Sequence, residues 1–296
     1  MRFKSAQEFR IQPAHAVTIM GMSGVGKTTL AVMLQKGGWF QYSVDYRIGT
    51  RYMDEPIVDN FKREAMKVPF LAELLKSDSI YICSNITFDN LSPLSTYLGK
   101  PGNPALGGIS FAEYKRRQSQ HRDAEIRSLL DVPGFIERAR DIYRYQHFIC
   151  DSGGSLCEVV NPDDPNDPVL KSLSQSTLLL YIEGNPQHTK TLVERFRKYP
   201  KPMYYQPEFL ERKWTEYKDL RKIRNDDDVV PSHPAADPNR INELPEHLGQ
   251  HGPRSAYRLV LVPIPVQPDG AEPVATGDLL GPGAHHVHAG FGVLVT

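Results

Sequence analysis

The chain has 296 residues, which is enough for one large domain or for a core domain with an appendage. Its 35 basic residues balance 35 acidic ones, and this neutrality excludes a whole-chain electrostatic attraction to nucleic acid or to an anionic membrane. The mean hydropathy of -0.43, the lack of an apolar stretch near the roughly 20 residues that span a bilayer and the lack of a secretory signal lead us to expect a cytoplasmic protein.

Short apolar runs alternate with helical patterns along the first three quarters of the chain. The predicted strands cover residues 16–20, 40–45, 147–150 and 178–182, and the predicted helices cover 28–36, 61–75, 110–130, 135–143 and 189–198. Strands that alternate with helices pair in parallel through crossovers. We therefore predict a three-layer α/β fold with a parallel central sheet.

The interval between the second and third predicted strands is too long for one crossover and is mostly helical. This predicts an inserted helical subdomain at residues 53–145, between a first core part at 1–52 and a second core part with a lid at 146–230. Within the insert, Ser110 and Glu113 form a capping-box pattern that opens a long helix. The basic residues that follow, Lys115, Arg117 and His121 among them, are expected on a solvated face, with contacts to phosphate as the alternative.

The last 66 residues, 231–296, have a different composition. They hold 10 of the 24 prolines, 8 of the 22 glycines and 6 of the 10 histidines, and they contain no lysine. We expect this tail to be disordered or to be a reading-frame artefact. Residues 257–266 could add an edge strand, but Pro263 and Pro265 exclude a central one.

One motif is specific: residues 21–29 read GMSGVGKTT, which satisfies GxxxxGK[ST] between a predicted strand and a predicted helix. Glycines let successive backbone N–H groups approach a phosphate, and the helix start adds partial positive charge. Lys27 supplies a cation for the β- and γ-phosphates, and the Thr28 hydroxyl is the expected magnesium ligand. The predicted nucleotide-binding positions are Gly21, Ser23, Gly24, Val25, Gly26, Lys27, Thr28 and Thr29.

A second magnesium ligand is expected from a carboxylate at a strand end. Asp151 closes the third predicted strand in the form of a Walker B motif, and we predict that it reaches Mg2+ through water. Asp131 is a rival because Asp131-Val-Pro-Gly134 matches the DxxG of GTPase switches, although Asp131 also suits a helix cap with Pro133 in the first turn. No [NT]KxD string occurs to read guanine, which favours ATP.

These residues resemble the P-loop kinases that phosphorylate small molecules, such as shikimate kinase and gluconate kinase. The resemblance implies a kinase-like P-loop NTPase fold. It places Asp45 where the family has acidic residues that meet the acceptor, and Gly153 and Gly154 where a glycine cluster touches the acceptor. The helix that carries Arg195 and Arg197 matches the family's lid over ATP. The longer insert argues against shikimate itself as the acceptor.

Phosphoryl transfer needs charge compensation and an acceptor held in line. Asp45 is the candidate that orients or deprotonates the acceptor hydroxyl, and Arg47 and Arg51 are candidates for holding an anionic acceptor. Arg195 and Arg197 lie two apart on a helix, so they cannot both face the cleft; the alternative for each is a solvated helix charge. Together with Lys27, these two arginines and Asp45 are the predicted catalytic residues.

The sequence therefore predicts an ATP- and Mg2+-dependent phosphotransferase that acts on an unidentified small-molecule acceptor. An alternative of a different kind is a regulatory or mechanical ATPase whose insert binds a protein or nucleic acid. A third is a nucleotide-binding module without turnover. The oligomeric state stays open.

Overall fold

The computed structural model describes residues 6–184, 187, 190–192, 194, 204–231 and 257–261, and these form two compact units. The sheet unit contains the described residues of Met1–Val44, Leu129–Tyr199 and Arg240–Thr296. The helical unit contains those of Asp45–Ser128 and Pro200–Asn239. Residues 204–230 thus group with the helical unit, whereas the division expected from sequence attached them to the core. Most of the tail lies outside the described residues.

The strands of the described residues join into one sheet. They are β1 (Ala16–Met20), β2 (Trp39–Ser43), β3 (His147–Asp151), β4 (Leu178–Gly184) and β5 (Tyr257–Leu261). The order is β2-β3-β1-β4-β5, in which the first four are parallel and β5 pairs antiparallel with β4 at the edge. The predicted parallel sheet is confirmed, and an edge strand forms within the range where the tail pattern allowed one.

The helices of the described chain range from 4 to 20 residues in length. They are α1 (Ala6–Arg10), α2 (Lys27–Lys36), α3 (Val44–Arg47), α4 (Asp54–Ala65), α5 (Pro69–Lys76), α6 (Ser92–Leu98), α7 (Phe111–Leu130), α8 (Val132–Asp141), α9 (Leu156–Val159), α10 (Pro168–Ser176) and α11 (Pro207–Arg221). A π-helical turn, Ile48–Tyr52, follows α3. None of these helices is both long and apolar enough to cross a membrane.

Helices cover both faces of the sheet. On one face, Ala31 of α2 packs with Val17, Ile19 and Ile149, which are all buried. On the other face, the ring of Phe135 on α8 lies 4.8 Å from that of Tyr42 in β2. Neighbouring residues of a strand point to opposite faces, so α2 and α8 cover different sides. The sheet unit is therefore a layered α/β structure, as the alternating pattern predicted.

The helix predicted over residues 61–75 is wrong as a single element. The chain ends α4 at Ala65 and begins α5 at Pro69. Val68 has the extended conformation, with φ of -102° and ψ of 112°. The residue before a proline is biased away from the helical conformation by contact with the proline ring, which explains the break.

The predicted capping box at the start of α7 is confirmed on one side, because the N–H of Glu113 donates to Ser110 Oγ at 3.2 Å. The same helix holds the core of the helical unit. Its Phe111 and Tyr114 pack against Leu210, Trp214, Tyr217 and Val229, all of them buried. The rings of Phe111 and Trp214 stack at 4.5 Å with an interplanar angle of 4°. Aromatic packing thus joins α7 to α11.

The solvated face expected for the basic part of α7 is wrong for two residues. Arg117 and His121 are buried, whereas Lys115 is partly exposed and pairs with Glu211 at 2.8 Å. Arg117 donates to Glu113 Oε1 at 2.7 Å. Its charge is therefore compensated inside the unit, which lets a basic residue occupy a buried position that sequence pattern assigned to solvent.

Candidate functional site

Residues 21–29, called here the glycine loop, connect the end of β1 to the start of α2, as predicted. Gly21, Gly24 and Gly26 have φ of 141°, 88° and 95°. Side-chain-bearing residues rarely adopt such angles, so these positions favour glycine. A Cβ atom added to Gly21 would also lie 2.7 Å from the carbonyl oxygen of Ile182. The loop is therefore bent tightly and lies directly against β4.

The start of α2 points its first backbone N–H groups into this loop. Gly26 precedes the helix in the left-handed conformation and provides no side-chain cap. The first N–H groups of a helix have no partner within the helix, and the helix dipole adds about half a positive charge there. The local backbone is consequently suited to an anion such as a phosphate.

Lys27 adds a full positive charge to the same loop. Its side chain is buried, and Nζ donates to the carbonyl oxygens of Gly21 at 2.7 Å and of Met22 at 2.9 Å. The ammonium group is therefore held against the loop backbone rather than extended into solvent. Val25 contributes differently, because its side chain packs with Ile182 and Leu192 and anchors the loop to the core.

The structure brings the two predicted magnesium ligands together. Thr28 Oγ1 donates to Asp151 Oδ2 at 2.6 Å. The contact forms because β3 lies beside β1 in parallel, with Asp151 opposite Ile19, so the carboxyl end of β3 reaches the start of α2. Asp151 is only 3% exposed. A buried carboxylate thus lies beside the hydroxyl that opens the helix.

The donor atoms at this point fit Mg2+. A hydroxyl and a carboxylate are the oxygen ligands that this ion prefers, and it is commonly held by one or two protein groups together with phosphates and water. No cluster of three or more His, Cys, Asp or Glu residues suited to a metal ion occurs in the described part of the chain. Thr28 and Asp151 therefore suit a metal that arrives with a phosphate ligand rather than one caged by protein.

The loop after β3 lies against the glycine loop. Gly153 has φ of 72°, and a Cβ atom added to Gly154 would lie 3.1 Å from Cβ of Ser23. The sequence pattern named both glycines without indicating this contact. No sequence pattern could indicate this contact, because the close approach of two loops depends on strand order.

The thiol of Cys150 lies next to Asp151 in β3. Burial and the neighbouring Asp151 raise the pKa of this thiol, which is therefore an inert core group.

Asp45, Arg47 and Arg51 belong to the helical unit, whereas the glycine loop belongs to the sheet unit. The expectation that Asp45 ends a strand is wrong, because β2 ends at Ser43 and Asp45 lies in the first turn of α3. The guanidinium of Arg47 lies over the ring of Tyr52 at 5.5 Å. Arg51 is exposed in the π-helical turn. Their predicted contacts with an acceptor stay predictions.

Two further sequence expectations concern helix ends. Asp131 precedes α8 with Pro133 in the first turn, and Gly134 lies inside that helix, which agrees with the helix-start interpretation. The expected capping bond is wrong, since the Asp131 side chain caps no α8 N–H and its own backbone is already helical.

Arg195 and Arg197, the predicted lid residues, lie outside the described residues.

Comparison with known proteins gives no match: no family model fits the chain, and neither a curated protein nor a solved structure is matched. The geometry of the glycine loop and of Asp151 is therefore the basis for any assignment of function.

Proposed function

We propose that this chain is a P-loop nucleotide-binding protein that binds ATP with Mg2+ at the glycine loop and transfers the γ-phosphoryl group to a small-molecule acceptor. The observation that carries the proposal is the 2.6 Å hydrogen bond between Thr28 and Asp151. It joins the last position of the GxxxxGK[ST] motif to a carboxylate at the end of the adjacent parallel strand. This is the pairing that phosphate-bound Mg2+ requires in such proteins.

The chain's own groups account for triphosphate binding. The backbone N–H groups of the glycine loop and of the start of α2 donate to phosphate oxygens. On nucleotide binding, Lys27 Nζ would exchange its hydrogen bonds to the carbonyl oxygens of Gly21 and Met22 for hydrogen bonds to phosphate oxygens. Before binding, those two hydrogen bonds hold the ammonium group at the loop. Lys27 Nζ can therefore reach a phosphate oxygen by a local movement of its side chain.

Thr28 and Asp151 are the groups that would hold the metal, Thr28 directly and Asp151 through water. A bound Mg2+ would supply positive charge that compensates the negative charge of the phosphates. Burial of Asp151 serves this role, because a carboxylate in a less polar environment interacts more strongly with a nearby positive charge. Asp151→Asn should therefore weaken the metal-dependent part of nucleotide binding more than the metal-independent part.

For the acceptor, we propose Asp45 as the group that orients or deprotonates the reacting hydroxyl and Arg47 and Arg51 as groups that hold an anionic acceptor. Gly153 and Gly154 are proposed to contact the acceptor, and their loop lies against Ser23 of the glycine loop, which supports a position beside the bound nucleotide. Arg195 or Arg197 would compensate charge on the transferring group.

A thermal-shift experiment tests nucleotide binding. ATP with Mg2+ should raise the Tm of the parent protein and of Lys36→Ala, which removes an exposed lysine from the last turn of α2. The same ligand should not raise the Tm of Lys27→Ala, since this variant lacks the cation at the loop. If ATP protects Lys27→Ala as well as the parent, the assignment of the glycine loop is wrong.

A second experiment identifies the reaction. The protein is incubated with γ-labelled ATP, Mg2+ and pooled small metabolites, and the products are separated. Label on an organic acceptor supports a kinase. Label only in free phosphate supports an ATPase, and unchanged ATP supports a binding module without turnover.

One observation supports the alternative of an ATPase whose helical unit binds a macromolecule. The helical unit is compact, with an aromatic core of its own, and it exposes large apolar side chains such as Phe70 and Tyr81. These exposed apolar side chains would be available to a macromolecular partner. A partner that stimulates phosphate release without becoming labelled would support this alternative.

A further inference from the structure

Residues 80–87, between α5 and α6 in the helical unit, alternate strictly in exposure although they belong to no helix or strand. The side chains on one side are at least half-buried: Ile80, Ile82, Ser84 and Ile86. Those on the other side are exposed: Tyr81, Cys83, Asn85 and Thr87. A period of two is that of an extended chain with one face on the protein. We call these residues the extended segment.

The inner face of the extended segment is anchored to the helical unit. Ile86 is 7% exposed and covers Gly49, where an added Cβ would lie 2.7 Å from the Ile86 Cδ1 atom. Ser84 Oγ donates a hydrogen bond to Asp54 Oδ1. The segment is therefore held in its extended form by packing and by a polar contact, and a ligand that recognises this form need not organise it first.

The main chain of the extended segment is mostly unpaired among the described residues; at its end, Thr87 exchanges two main-chain hydrogen bonds with Asn90. None of the N–H groups of residues 80–86 donates a hydrogen bond there, and of their carbonyl groups only that of Asn85 accepts one, from Asn90 Nδ2 at 3.2 Å. An extended chain with free donors and acceptors is a template for another strand. Its side chains favour strands, since isoleucine, tyrosine and threonine predominate.

We propose that the extended segment binds an extended peptide of a partner protein by β-strand addition. Main-chain hydrogen bonds would supply affinity, and Tyr81, which is 86% exposed, would contact a side chain of the added strand. This inference does not depend on ATP binding, because all of the groups that it uses lie in the helical unit.

Charge defines the partner peptide. Residues 79–88 carry no charged side chain, and the exposed carboxylates of Asp78 and Asp89 lie at the two ends of this stretch. Opposite charges across paired strands stabilise the pairing, and like charges destabilise it. The structure therefore favours a peptide with a neutral, β-branched centre and lysine or arginine at both ends.

The same charges disfavour a second copy of this chain as the occupant. In an antiparallel pair of two identical segments, Asp78 of one copy would come opposite Asp89 of the other at both ends. A parallel pair would place each aspartate near its own counterpart. Both arrangements bring carboxylates together, and shifting the register to avoid this shortens the pairing.

The test uses the full chain and a fluorescent peptide with an alternating threonine–valine centre, as long as the extended segment, and lysines at both ends. Fluorescence anisotropy should show saturable binding. Two further peptides carry N-methyl groups on alternate residues, one on the odd and one on the even positions. One of the two should bind about tenfold or more weakly, since it loses at least two main-chain hydrogen bonds.

Charge is tested with the double variant Asp78→Asn and Asp89→Asn. Asp78 has φ of 52°, a conformation that asparagine tolerates, so the variant should fold. It should lose the preference of the parent for the lysine-ended peptide over one with glutamates, whereas Asp123→Asn, an exposed change on α7, should keep it.

The proposal is overturned if no saturable binding occurs, or if both methylated peptides bind as well as the unmodified one. It is also overturned if sedimentation shows a dimer that the lysine-ended peptide dissociates, because the occupant is then a second copy. A thermal unfolding curve for each variant separates loss of binding from loss of folding. Failure here leaves the Lys27→Ala result unaffected, so the two proposals are judged separately.

Discussion

Two glycines of the glycine loop, Gly21 and Gly26, provide a pair of substitutions that can be compared. Gly21 and Gly26 both have positive φ, at 141° and 95°. A methyl group added at Gly21 meets the carbonyl oxygen of Ile182 at 2.7 Å and Cγ2 of Val25 at 3.1 Å, whereas one added at Gly26 meets nothing within 4 Å. Gly21→Ala and Gly26→Ala therefore both introduce positive-φ strain, and only Gly21→Ala adds steric overlap.

The expected losses of stability follow from these contacts. Positive φ at alanine costs about 1–3 kcal/mol. Reduced freedom of the unfolded chain offsets about 0.4–1 kcal/mol of this in both variants. Overlap with a backbone oxygen forces a shift that costs Gly21→Ala about 1–3 kcal/mol more, because the oxygen belongs to a sheet strand and cannot rotate away. The free energy of unfolding should thus fall further for Gly21→Ala by at least this last amount.

Urea unfolding measures the difference. The chain has 2 tryptophans, so a Trp214→Phe background leaves Trp39, in β2, as the reporter of the sheet unit. The urea midpoints of the two variants are compared provided that their m-values are equal, since a changed m-value would indicate a changed unfolded state. If the two variants lose stability equally, or if Gly26→Ala loses more, the close approach of Gly21 to β4 does not determine the cost of a side chain at Gly21.

Three further predictions concern the helical unit. Burial lowers the pKa of His121 from 6.5 to about 4. Its contribution to stability should therefore be constant above pH 6.5 and fall by up to about 3 kcal/mol toward pH 4, because only the unfolded imidazole takes up a proton; His121→Gln should reduce the slope of stability against pH in urea titrations by this contribution. Trp214→Ala should cost about 3–5 kcal/mol by calorimetry, because the buried ring stacks on Phe111, and a loss below about 1 kcal/mol would contradict the packing. Ser110→Ala should lower stability by about 1 kcal/mol through loss of the bond to Glu113 N–H, and Ser110→Thr should largely retain it.

Local chemistry made several elements predictable. The buried strand at β1 is a continuous apolar run ended by glycine, and the GxxxxGK[ST] spacing places glycines where positive φ is needed. The start of α7 follows from Ser110 and Glu113, whose side chains act within one helical turn. Each of these features depends on residues that are close in sequence, so a pattern can reveal it.

Two of the wrong predictions have different causes: the helix break is a local effect of sequence, whereas the burial of Arg117 depends on residues distant in the chain. Pro69 breaks the helix expected over residues 61–75, and the proline rule could have indicated this. The burial of Arg117 could not be read from spacing, because its surroundings include Asn60 and Tyr97 from elements earlier in the chain. A basic residue becomes a core residue only when such partners are present.

The sequence by itself determined the glycine loop, the parallel character of the sheet and the chemical identity of Thr28 and Asp151 as oxygen donors. Only the tertiary structure decided that these two side chains meet, at 2.6 Å across 123 residues of chain. The reason is the strand order: hydrogen bonding between main chains places β3 beside β1, and no local pattern in either strand specifies its neighbour. The same holds for the extended segment, whose residues favour a strand although no strand of the described chain pairs with them.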